Sequence, residues 1–146
     1  TVKSGLCLKE RKFMKIFALV LRLSAPVFLL VGGLHLALGL GADVLLGANL
    51  SAEAISDPVL DSQNRFYGVA FSVYGVLFIV CSSNIQKYAK VLQCLFWVFF
   101  AAGIARLISI AIYGMPPPLI ITLLVSELSL PPVLALWLAR LTRVEK

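Results

Sequence analysis

Four apolar stretches, each close to the length needed to cross a bilayer, leave this chain few ways to fold. They run from about Leu23 to Ala42, Phe66 to Ser82, Val91 to Tyr113 and Leu119 to Ala139. A helix needs roughly 20 residues to cross a hydrocarbon core about 30 Å thick. The second stretch is the shortest and borrows Asn64 and Arg65 to reach that length. All four are continuous rather than alternating, which selects helices over a barrel. They make the chain 60% hydrophobic and only 14% charged over its 146 residues; a soluble domain is nearer roughly half apolar and a quarter charged. The expected fold is all-α: a four-transmembrane-helix bundle with antiparallel neighbours, both termini on one side and a kinked fourth helix.

The net charge of +6 is unevenly spread. Lys3, Lys9, Arg11, Lys12, Lys15 and Arg22 precede the first stretch, Lys87 and Lys90 separate the second from the third, and Arg140, Arg143 and Lys146 follow the fourth. The other two connections hold Arg65 against Asp43, Glu53, Asp57 and Asp61. By the positive-inside rule both termini are expected in the cytoplasm. The basic excess then serves topology and anionic-lipid contact, and no nucleic-acid partner is implied. The chain divides accordingly into residues 1–22, a basic arm or interfacial helix, residues 23–140, the membrane domain, and residues 141–146, a cytoplasmic tail.

Met14-Lys15-Ile16-Phe17 reads like a natural start, so residues 1–13 are either a genuine arm or precede the native start. The apolar run after it is too long for a cleaved signal peptide and is expected to stay as an anchored helix. Residues 43–64 form the longest expected connection, a lid or a plain connector. Within it Ser51-Ala52-Glu53-Ala54 reads as a capped turn, and Asp57-Pro58 as its break. Cys7, Cys81 and Cys94 fall at or near the cytoplasmic side, in no zinc or redox spacing, so no disulfide framework is expected.

Charges inside the apolar stretches are the functional candidates, because each costs about 2.5 kcal/mol or more unless paired or wetted. Arg106 lies eight residues before Gly114, and Glu127 nine after Pro118, across a Gly114-Met115-Pro116-Pro117-Pro118 turn. At 1.5 Å per residue both fall about 12–14 Å from that turn, so an antiparallel hairpin brings them level. His35 lies at about 11 Å from the outer end of the first span by the same count. Ser72 comes to that level from the second span, and Arg65 reaches down from above with Tyr67 beside it. A polar layer in the outer half of the bundle is therefore expected from His35, Arg65, Tyr67, Ser72, Arg106 and Glu127.

Pro131 and Pro132 lack N–H groups and leave the Glu127 and Leu128 carbonyls without helical partners, so the fourth helix should kink there, with the Arg106 guanidinium serving the Glu127 carboxylate and a freed backbone oxygen together. Small residues accompany the polar ones on the same helix faces, as Gly32 and Gly39 do with His35, and Gly68 and Gly75 with Ser72. Such stripes let helices approach closely in lipid.

Two readings fit Arg106 and Glu127: a register-fixing ion pair, or a ligand-binding or proton-handling site. His35 is the only histidine, which excludes bis-His haem or a multi-His metal site within one chain. No metal or cofactor is implied. Hydrolase, metalloprotease and phosphate-loop motifs are absent.

The chain resembles a bacterial family of short four-span membrane proteins described as a domain of unknown function. The resemblance covers about Leu23 to Arg140. It rests on the Gly33–Gly39 stretch, Asn64-Arg65-Phe66-Tyr67-Gly68, Ala105-Arg106, Gly114 with its prolines, and Glu127. A fainter, architectural likeness extends to DoxX-like four-helix membrane proteins, some of which accompany redox systems, and implies no activity.

The expected role is that of a non-enzymatic accessory or amphiphile-binding membrane protein. Its partners would be the lipid bilayer, a lipid, quinone or other amphiphile, and a second copy or a larger membrane complex. Two alternatives stand: a small membrane enzyme using Glu127 and His35 as acid and base on a lipid-like substrate, and a structural subunit of a larger complex.

Overall fold

The computed structural model describes residues 2–143, with side chains from Arg11 onward, and every regular element among them is helical. The order is α1 (Val2–Leu38), α2 (Gly41–Leu45), α3 (Ala52–Ile55), α4 (Pro58–Ser82), α5 (Ala89–Tyr113) and α6 (Pro118–Arg143). Four of these, α1 from Arg11 on, α4, α5 and α6, are long and apolar enough to cross a membrane. The chain is a multi-pass helical protein suited to a lipid bilayer.

Local chemistry explains where the helices begin and end. The basic segment before Leu23 is rich in Leu, Lys and Arg, all good helix formers, so it continues into the first apolar stretch without a break. Gly39 ends α1 in the left-handed region, at φ 55°, where its N–H bonds the His35 carbonyl at 2.8 Å.

Asp57-Pro58, expected to break the capped turn, follows the end of α3 at Ile55 and also starts the next helix. The Asp57 carboxylate accepts from the Val59 and Leu60 amides at 2.8 and 3.1 Å, while Pro58 takes a first-turn position that needs no N–H. The stretch from Pro58 to Asn64 thus belongs to α4 rather than to a loop. What remains of the connection carries α2 and α3, the latter capped by Ser51, whose hydroxyl accepts from the Ala54 amide at 3.2 Å. Pro131 and Pro132 lie inside α6, which is helical on both sides of them.

The chain forms two compact units. One comprises residues up to Arg22 and from Ile79 onward; the other is Leu23–Phe78. The first unit buries Phe17, Leu21, Leu92, Phe96 and Leu138. The Phe17 ring meets Phe96 and Trp137 edge-on, at 6.3 and 5.0 Å between centroids.

In the second unit, α1 and α4 meet backbone to backbone. A Cβ on Gly68 would stand 2.7 Å from both the Gly32 carbonyl oxygen and the Leu36 nitrogen, and one on Gly75 would stand 2.8 Å from the Ala25 oxygen. No side chain fits there. Below this contact Phe28 packs against Phe71, Tyr74 and Phe78 at 5.0–5.7 Å.

Candidate functional site

The polar residues singled out in the sequence fall in both units, and each group finds its described partners within its own. In the first unit, Arg106 on α5 donates from Nε to Glu127 Oε2 on α6 at 2.7 Å. The hairpin brings the helices close at this level because Gly103 has no side chain: a Cβ there would lie 3.1 Å from Glu127 Cβ and 2.9 Å from Leu128 Cδ2. The two partners differ in environment. The Glu127 side chain is 3% exposed and the Arg106 side chain 37%.

Only one edge of the guanidinium is engaged. Nη1 and Nη2 of Arg106 have no partner among the described residues. No bond runs from Arg106 to the carbonyls that Pro131 and Pro132 free, so that part of the sequence-based expectation does not hold. Arg106 instead borders a cavity of about 80 Å³ with Ser109, Ile110, Gly114, Pro116 and Ile120. Buried carboxylate, half-used guanidinium and adjacent cavity together present hydrogen-bond donors to a small polar group.

The second unit is wired differently. The His35 Nδ1 lies 2.8 Å from the Val31 carbonyl, which can only accept, so Nδ1 carries a proton. Its Nε2 stands 3.4 Å from Asp43 Oδ1, and a bond across that gap needs a second proton, on the ring or on the carboxyl. Asn64 donates to the other Asp43 oxygen at 2.5 Å, while its own Oδ1 is buried without a partner among the described residues. Asp43, a member of this network, entered the sequence reading only through the charge count.

Arg65 is occupied on all sides. Its Nε and Nη2 bond Asp61 at 2.7 and 3.4 Å, and Nη1 donates to the Leu36 and Ala37 carbonyls at 2.8 and 3.0 Å. Those carbonyls belong to the last turn of α1, where a cation satisfies orphan acceptors and the helix dipole together. Ser72 donates back to the Gly68 carbonyl at 3.0 Å and stands against Gly32, within the close helix contact. Tyr67 is 61% exposed, its ring against Phe66.

One arrangement had no sequence signal beyond the count of positive charges. Arg22 donates from Nε to Ser82 Oγ at 3.0 Å, across 60 residues, within the first unit. A cleft of about 640 Å³ opens beside this bond. Cys81 is buried and Cys94 exposed, both free, and the Cys7 side chain lies outside the described residues. Among the described residues no group of three or more His, Cys, Asp or Glu side chains is placed to hold a metal ion.

Membrane-length helices carrying polar pairs within them define the class: a small multi-pass membrane protein. The chain belongs to the family described as "Domain of unknown function (DUF4345)", whose model matches residues 16–138. The match begins within the basic part of α1 and so includes Arg22 as well as Arg106 and Glu127. No curated protein and no solved structure shows a significant match.

Proposed function

We propose that this protein is a non-enzymatic, amphiphile-binding accessory protein of the bacterial inner membrane, with both termini cytoplasmic. Its ligand's polar head binds at Arg106, in the outer half of the bilayer. The half-used guanidinium carries this reading: one nitrogen is fixed on a buried carboxylate while two have no acceptor among the described residues, beside a cavity of about 80 Å³.

Liquid water occupies roughly 30 Å³ per molecule, so the space suits a small head and leaves the tail to the lipid-facing surface. The Arg106–Glu127 pair is neutral as a whole, so the favoured head is an uncharged acceptor such as a quinone or ester carbonyl rather than a second carboxylate.

Binding of a short-chain benzoquinone to the purified protein, read by calorimetry, tests this. Arg106→Lys keeps the charge but removes the donor fork and should weaken binding about tenfold, the scale of a charge-assisted hydrogen bond. No binding by the wild type, or unchanged binding by a folded variant, would refute the reading.

A second reading, a register staple, is favoured by the tight approach of Gly103 to Glu127 and Leu128. It predicts that Arg106→Leu and Glu127→Gln each impair folding and that the double variant recovers it.

A further inference from the structure

We propose that the cleft between the first part of α1 and the α4–α5 turn binds the phosphate group of an anionic phospholipid. The cleft measures about 640 Å³, and its lining includes Arg11, Lys15, Arg22, Ser82, Met14 and Leu19. That volume is in the range of ligand sites, roughly 300–1,000 Å³. At 3.6 residues per turn, positions 11, 15 and 22 fall within about 40° of one another around the helix, so three cations share one face of α1.

Ser82 organises the site without being free to bind. It is buried; its hydroxyl donates its only proton to the Ile79 carbonyl at 2.7 Å and accepts from Arg22 Nε at 3.0 Å. The guanidinium is thereby held in place with both Nη groups unpartnered among the described residues. Among the described residues Arg11 and Lys15 likewise have no ion-pair partner, and no carboxylate lines the cleft. Three cations without a carboxylate partner among the described residues, around a ligand-sized hollow, call for an anion with several acceptor oxygens. A planar arginine fork matches phosphate in particular.

The apolar side of the cleft decides between sources of that phosphate. Met14 and Leu19 line it, and Ile16 and Leu19 stand exposed on the same stretch of α1. A free phosphate ion has no use for an apolar wall, whereas a phospholipid continues onto one with its acyl chains. A cationic segment at the end of a membrane span is also where anionic headgroups collect.

Native mass spectrometry of the full chain in detergent tests the proposal, with phosphatidylglycerol, phosphatidylcholine and inorganic phosphate as separate probes. Phosphatidylglycerol should be retained at least about tenfold more tightly than phosphatidylcholine, and Arg11→Gln or Arg22→Gln should each cost about fivefold for the anionic lipid alone. Arg22→Lys keeps the charge and loses the fork, so it too should weaken retention, by about threefold. Ser82→Ala leaves every charge in place and should lower affinity about twofold by releasing Arg22, which keeps the test open if an arginine variant fails to fold.

Equal retention of the two lipids would overturn the site, and so would indifference to both Arg22 variants. Millimolar inorganic phosphate that binds without lipid and displaces phosphatidylglycerol would overturn the lipid in favour of a soluble anion.

Discussion

Arg106 and Arg65 are both arginines at the level of membrane-length helices, yet the chain uses them in opposite ways. Arg65 has every side of its guanidinium engaged, on Asp61 one turn away and on the last carbonyls of α1. It completes a helix end. Among the described residues Arg106 makes one bond, to a carboxylate on another helix, and leaves two nitrogens over. A cation with every nitrogen engaged, on a carboxylate one turn away and on the backbone oxygens of a helix end, is structural by construction, whereas one held in place with nitrogens to spare is preorganised for something else. By that criterion the arginine of the unit of residues 23–78 serves that unit's own integrity, and the unit containing α5 and α6 holds the arginine nitrogens left without partners among the described residues, at Arg106 and again at Arg22.

The largest effect should come from breaking the pair on one side. Arg106→Leu leaves Glu127 buried at 3% exposure with no counter-charge, and removing one partner of a buried pair costs about 3–5 kcal/mol. Reversible unfolding in mixed micelles measures it, and adding Glu127→Gln should restore most of the loss. If Arg106→Leu alone is neutral, the pair is not what holds α5 on α6 and the contrast with Arg65 disappears.

The α1–α4 contact comes next. Gly68→Val places a side chain 2.7 Å from two backbone atoms that cannot yield, so the helices must separate, at about 2–3 kcal/mol in the same assay. Arg65→Gln should cost less, about 1 kcal/mol, because the side chain is 41% exposed and solvent screens its pair with Asp61. A loss at Arg65 matching that at Arg106 would break the comparison.

The apolar stretches and the hairpin geometry were legible because each depends on local composition and counting. Four runs of membrane length, with eight residues from Arg106 to Gly114 and nine from Pro118 to Glu127, suffice to place Arg106 opposite Glu127. Helix ends were less legible. Hydropathy sees only the apolar half of α1, and Asp57-Pro58 serves equally as a stop and as a start until the following amides are seen to bond Asp57. Arg65 on the carbonyls of Leu36 and Ala37, and Arg22 on Ser82, join residues 28 to 60 positions apart. Nothing in a local pattern encodes such contacts. The proline pair misled for a different reason: it identifies which carbonyls lose their partners but not where the neighbouring donor turns, and Arg106 turns to the carboxylate.

Ser72→Ala should have the smallest effect, and it bears directly on which unit can hold a ligand. The Ser72 hydroxyl already donates to the Gly68 carbonyl in its own helix, a carbonyl that the helix satisfies without it, and it stands where α4 meets Gly32. Alanine keeps the small cross-section that the contact requires and forgoes only this redundant bond. Stability should therefore change by no more than about 0.5 kcal/mol, the low end for a hydrogen bond with a competing partner. Benzoquinone binding should not change at all. A Ser72→Ala protein that folds like the wild type but loses the quinone would move the ligand's head into the α1–α4 unit, and Arg65, despite its full set of partners, would have to be read again as part of a site.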